Sequence, residues 1–453
     1  MFGEILQKFA EKSPVTVMVR GLLEHLLNAE KIDGWFDSVR QAQYTKDILF
    51  SSIVSLMLQV VCRIRTSVHS AYRHSDIEAS VVAVYDKLKG VETKTAQALV
   101  RQIASDSESI IRNMGGAHEP LLPGYRTKFL DGNALEATEH RLNVLQATPA
   151  GALPGKSLVV FDPALGLALD VFPCEDGHAQ ERALLTAVAA TIQPGDLWVA
   201  DRNFCVLSFL FDLARKDAFF VIRQHQNTPY KPLSDLKFMG RAATGQVFEQ
   251  PVQLTSPEGE TLTVRRVVIH LDKPTRNGDK IVAVLTNLSE EAADALTISE
   301  LYRKRWGIET AFQKLEKHLH SEINTLGYPK AALFGFCLAL VAFNLYAVVM
   351  AALRSTYRDH DIDAEVSEYY LAEEIATTYT GMSIAVPEGD WNLFSQASHS
   401  ELSHLLLRLA ANMNLSKFKK NKRGPKKAPT PRNKFKDKPH VSTAKLLASN
   451  SAD

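Results

Sequence analysis

Leu197-Trp198-Val199-Ala200-Asp201 reads as a short buried strand that closes on a carboxylate, and this stretch decides the fold. Upstream, Thr127-Lys128-Phe129-Leu130-Asp131 repeats the pattern: Asp131 follows the apolar pair Phe129-Leu130. Downstream, Tyr302-Arg303-Lys304-Arg305-Trp306-Gly307-Ile308-Glu309 reads as helix. Three carboxylates from distant parts of the chain, two at strand ends and one on a helix, form a natural cage for two divalent metals. Such a cage drives phosphodiester cleavage and transfer.

Between these motifs the periodicity alternates. Short β-like runs at Thr127–Leu130, Arg141–Gln146, Ser157–Phe161 and Leu167–Phe172 precede a helix over Gln180–Ile192, stopped by Pro194-Gly195. The strand Leu197–Ala200, a helix at Val206–Ala214 and a strand at Ala218–Arg223 follow. Strand-like runs, then helix, strand, helix, strand, suit a mixed α/β sheet covered by helices. From His225 to Asn287 the texture becomes β-rich, with runs at Val247–Leu254, Thr261–Leu271 and Lys280–Thr286; the last is placed to return to the main sheet. Thr297-Ile298-Ser299-Glu300 fits a capping box, starting a helix that runs to about His320.

Residues 1–120 read as helices, with apolar positions at helical spacing through Val15–Leu27, Ile48–Ile64 and Val81–Val100. Gly90 separates two of them in a helix-turn-helix outline, which is equally an ordinary turn between bundle helices. The expected divisions are a helical N-terminal region (1–120) suited to DNA-end binding, the α/β domain (121–224 and 288–390), its β-rich insertion (225–287) and a C-terminal helix with a basic tail (391–453).

A chain of 453 residues is long enough for several domains, and its 45% hydrophobic and 23% charged content is that of a globular protein. The formal charge of +1 hides an uneven distribution. Between Lys417 and Lys438 lie eleven Lys or Arg and one acid, Asp437, so the remainder is net acidic. From Asn414 the tail, with Lys, Pro and Asn and few large apolar residues, cannot form a core of its own and is expected to be disordered. Cys62, Cys174, Cys205 and Cys337 are isolated, which fits a reducing compartment without structural zinc. The start, Met1-Phe2-Gly3-Glu4-Ile5, has no signal-peptide pattern. Ala331–Leu353 carries no charge and matches a bilayer in length, but Asn344 and Tyr346 favour a buried core helix and no membrane span.

At about 100° per residue, Tyr302, Arg305 and Glu309 share one helix face. Alone, that face is equally an exposed ion pair. The eight residues Tyr302–Glu309 resemble the Y-x2-R-x3-E-x6-K signature of the insertion sequence four family of DDE transposases. Asp131-Gly132-Asn133 is similar to the family's first acidic motif and Asp201-Arg202-Asn203-Phe204 to its second. Glu175-Asp176-Gly177-His178 before Gln180-Glu181-Arg182 is also similar to members of this group. The likeness covers Thr127 to His320. The sequence departs from it at Glu316, where the signature ends in lysine (Lys317 is one place later), and at Asn203, where Gly or Ala is usual. No Trp falls within residues 225–287, where some relatives stack a flipped base.

The resemblance implies a ribonuclease H-like catalytic domain holding two Mg2+ ions, with Mn2+ able to substitute, on Asp131, Asp201 and Glu309. It implies phosphate contacts from Tyr302, Arg305 and Lys317, and a DNA-backbone clamp from Lys419, Lys420, Lys422, Arg423, Lys426 and Lys427. The expected activity is metal-dependent excision and insertion of a bacterial element. The partners would be the terminal inverted repeats, target DNA and a second copy of the chain in the synaptic complex, all in the cytoplasm. The alternatives are a ribonuclease H-like nuclease without strand transfer and an inactive DNA-binding remnant. Asp162, Asp170, Glu136 and Glu139 compete for the carboxylate roles and read as solvated or turn residues; His178 reads as a loop residue beside Asp176.

Overall fold

A computed structural model describes residues 2–43, 47–135, 142–146, 151–275, 278–421 and 439–450. The strands are β1 Arg126–Leu135, β2 Gly151–Leu153, β3 Gly155–Asp162, β4 Leu167–Cys174, β5 Asp196–Ala200, β6 Phe219–Arg223, β7 Lys231–Pro232, β8 Lys237–Ala242, β9 Gly245–Thr255, β10 Thr261–Leu271, β11 Ile281–Thr286 and β12 His440–Ser442. Ten of them form one sheet in the order β4-β3-β1-β5-β6-β11-β10-β9-β7, with β8 also on β9. β1 pairs antiparallel with β3 and parallel with β5, and β5 is parallel to β6. This mixed α/β architecture is ribonuclease H-like, as expected. β11 returns antiparallel to β6, so the β-rich stretch extends the main sheet.

Alternation along the strands builds two packed faces. Leu130, Leu158, Trp198, Ala200, Phe220 and Ile222 point into one core with the helices Leu185–Ala189 and Leu207–Arg215. Phe129, Leu197, Val199 and Val221 point the other way, onto Ile298, Leu301, Ile308 and Ala311 of the Ala295–Lys304 and Trp306–His318 helices. The strands read as nearly continuous apolar runs because both faces are covered.

The β3–β4 end of that second face meets the largest core. There Val159 and Val171 pack with the N-terminal helices Pro14–Leu26, Phe50–Val61 and Thr93–Met114 and the C-terminal helix His399–Ala411. All of them surround the apolar helix Pro329–Thr356, whose most apolar stretch is wholly buried. Its one deeply buried amide has a reason. Asn344 accepts from the Ala168 N–H and donates to the Ala168 carbonyl, both at 2.9 Å, and so satisfies backbone on the terminal strand β4. The second helix of the Gly90 pair, Thr93–Met114, turns Leu99, Val100 and Ile103 into this core, while Gln97 and Arg101 hold Asp170 of β4.

Several local expectations need correction. Asn143–Gln146 is a helical turn, not strand; Arg141 lies outside the described residues. The Gln180–Ile192 helix is a 3-10 turn, Glu181–Leu184, followed by Leu185–Ala189. The cap of the Ala295–Lys304 helix is Asp294, whose carboxylate accepts from the Thr297 N–H, not the Thr297 box. That helix does not run unbroken to His320: it is interrupted at Arg305. The region from Asn414 is folded in its described parts. Phe418 is buried, the Ser367 N–H donates to its carbonyl, and β12 pairs parallel with β2. The expected disorder therefore does not hold for these parts, which pack on the rest of the chain, and residues 422–438 lie outside the described residues.

Candidate active site

Register places the first two carboxylates side by side. In the parallel β1–β5 ladder Leu130 is opposite Ala200, so Asp131 and Asp201 are each the next residue beyond the last matched pair. Parity then aims them. Two residues after Phe129 and Val199, both face the side covered by the Trp306–His318 helix, which carries Glu309. β6 adds a cation at the same level. Ile222 is opposite Ala200, and the next residue, Arg223, pairs with Asp279 at 2.7 Å.

The helix break brings the third carboxylate in. At Arg305 the backbone changes to i→i+3 hydrogen bonds, with its N–H donating to Tyr302 and its carbonyl accepting from Ile308. Arg305 is only 7% exposed. One end of its guanidinium donates to Asp131 Oδ2 at 3.0 Å and the other to Glu309 Oε1 at 2.8 Å. Its charge also lies 5.9 Å from the Tyr302 ring. At Gly307 the helix lies against β1, where a Cβ would meet the Phe129 ring in ordinary contact at 3.5 Å.

The electrostatics follow from burial. Loss of water pushes the Asp131 carboxyl up to about 6; Arg305 and the Gly132 N–H oppose the rise, and Glu309 and Asp201 add to it. Burial works against the Arg305 charge as well, yet Tyr302, Asp131, Asp201 and Glu309 together hold its pKa above the usual value. Burial likewise pushes the Tyr302 hydroxyl up to about 12, leaving it a neutral donor at pH 7.

Reading of the residues alone assigned no site role to three neighbours. Glu181 lies against Gly132, where a Cβ would fall 2.1 Å from its Oε1, and its other oxygen is 3.4 Å from the Asn203 amide. The Arg182 Nε donates to the Asn203 carbonyl at 3.1 Å. The Gln180-Glu181-Arg182 stretch thus adjoins both acidic motifs, and only the resemblance signalled it. Arg223 had a plainer signal, its place at the end of the next parallel strand.

The remaining candidates are elsewhere. Asp162 and Asp170 are not solvated: they are buried against Arg126 and Arg101 as structural pairs. Asp176 accepts from Ser442 and pairs with Lys445, which hold its carboxyl down to about 2, while His178 donates only its backbone N–H to it. Lys317 is exposed on the far part of its helix. Lys419 bridges Val366, and Lys420 donates through its backbone N–H to the Glu365 carbonyl and through Nζ to that of Asp363. Glu136, Glu139, Lys422, Arg423, Lys426 and Lys427 lie outside the described residues.

Asp131, Asp201 and Glu309 offer hard oxygen donors of the kind that suits Mg2+ or Mn2+, and the half-buried Asp131 charge would be eased by a cation. The donor chemistry fits. The spacing is set by Arg305, however: among the described residues no three His, Cys, Asp or Glu side chains converge closely enough to hold an ion.

A mixed sheet of this strand order, with acids at adjacent strand ends and a third on a covering helix, defines a ribonuclease H-like domain with an acidic centre. More particularly, residues 149–345 match the family model of the transposase DDE domain. The match takes in Asp201, Tyr302, Arg305 and Glu309 and begins after Asp131. The chain is also 27% identical over 217 residues to a protein of Sinorhizobium fredii (strain NBRC 101917 / NGR234) named "Putative transposase y4zB"; this covers 44% of the chain and 57% of that relative.

Proposed function

We propose that the protein is a DDE transposase of the insertion sequence four kind, which binds the ends of its own element and cuts and joins DNA by phosphoryl transfer at Asp131, Asp201 and Glu309. The observation that carries this reading is the register: two carboxylates level on adjacent parallel strands, with Glu309 linked to one of them through Arg305. Two bound Mg2+ ions, replaceable by Mn2+, would activate a water or a DNA 3′-OH and stabilise the leaving oxygen.

The chain's own residues do the rest. Asp131 and Asp201 are fixed by the sheet, so their spacing does not relax as DNA enters. Tyr302, neutral at pH 7, and Arg305 present donors to a phosphate, the guanidinium in bidentate fashion. The basic stretch from Lys419 to Lys427 tracks the backbone, and two copies of the chain bring two ends together in the bacterial cytoplasm. The match to the transposase DDE domain and the likeness to a relative with a transposase name support this reading over other phosphoryl-transfer chemistry.

The test is incubation with Mg2+ of a supercoiled plasmid carrying the DNA that flanks the gene. Cuts at the element boundary followed by joined products are expected. Cutting without joining would instead identify a nuclease, and end binding without cutting a remnant.

A further inference from the structure

Arg305 is an unusual neighbour for a site that must gather cations. It is almost fully buried, and its two terminal nitrogens are divided between Asp131 and Glu309, carboxylates from a strand and a helix. The fork spans the gap that separates them and neutralises part of the charge of the three acids. A guanidinium set between the two carboxylates competes with a divalent ion for their lone pairs and repels it, because like charges a few ångström apart in a part-buried site raise each other's energy.

We propose that Arg305 is an exchangeable internal cation: it holds Asp131 and Glu309 together in the DNA-free protein, and it must leave them for metal to bind, which frees it for a DNA phosphate. This rests on the metal-dependent reading above. Metal and DNA then assist one another, because the phosphate gives the displaced guanidinium a new partner, and the coupling is reciprocal. The protein without DNA is left with a weakened affinity for metal, and the acids stay paired until an end is bound.

The experiment is calorimetric titration of the full chain with Mn2+ in the absence of DNA, wild type against Arg305→Gln. The amide keeps hydrogen-bonding groups but loses the charge and the fork. Tighter Mn2+ binding by the variant is expected, by about tenfold, or about 1.4 kcal/mol. Short duplex DNA should tighten Mn2+ binding to the wild type and leave the variant unchanged. Equal or weaker binding by Arg305→Gln would overturn the proposal. Should the variant not fold, the wild type alone decides: Mg2+ should shift the Arg305 side-chain NMR resonance, assigned through Arg305→Lys, and an unmoved resonance at saturating Mg2+ overturns the exchange. Failure of both proteins to bind Mn2+, with or without DNA, would sink the metal-dependent reading itself.

Discussion

At neutral pH Asp131 is a half-buried carboxylate kept charged chiefly by Arg305. Its folded pKa of about 6 lies above the ordinary 3.8, so the folded state binds the proton more tightly than the unfolded chain. The sign follows. Between these values stability rises as pH falls, and above about 6 the charged form is at its most costly. A shift of this size corresponds to roughly 3 kcal/mol. We expect the stability of the wild type relative to Asp131→Asn to improve by as much as ~2–3 kcal/mol from about pH 7 to pH 4. Urea unfolding across that range is the measurement, and parallel curves would contradict the account. The sequence made Asp131, Asp201, Glu309, Tyr302 and Arg305 legible as a group. It did not show that Arg305 bridges two of the acids, because that contact joins residues 174 positions apart and depends on tertiary packing.

Among the elements, strands with both faces covered were the most legible. β3, β4, β5 and β6 stand close to where unbroken apolar runs placed them. Helix ends were less so, because competing polar residues offered more than one cap. Asp294 wins over Thr297 because its carboxylate bonds the Thr297 N–H directly, at 2.7 Å. The break at Arg305 has no Pro to announce it. β12 is three residues long and is held to β2 by backbone pairing, so its sequence carries no pattern to read. The membrane-length helix was resolved by its own Asn344, a polar group that a core helix can satisfy against a strand edge.

For the whole molecule, one core joins the N-terminal helices, the long apolar helix and the His399–Ala411 helix, so the helices on either side of the sheet-forming segment in sequence fold as one body beside the sheet. The basic segment is tied at both ends, by Lys419–Asn421 against Asp363, Glu365 and Tyr370 and by β12 against β2. If it contacts the DNA backbone, replacing Lys422, Arg423, Lys426 and Lys427 by Gln should weaken binding to all sequences alike. The slope of log affinity against log salt should become shallower by up to about 0.9 for each phosphate that the variant no longer neutralises. An unchanged slope would return those residues to a solubilising role.

The central claim is that Asp131, Asp201 and Glu309 form one reacting centre. It is tested most directly by Mg2+-dependent cleavage of a supercoiled plasmid bearing the element's ends, with Glu309→Gln against the wild type and end binding measured in parallel. The account predicts that the variant binds ends yet cuts at least about 100-fold more slowly, as expected when one of the groups that would hold the metal ions is removed. Cutting by Glu309→Gln at the wild-type rate would contradict it.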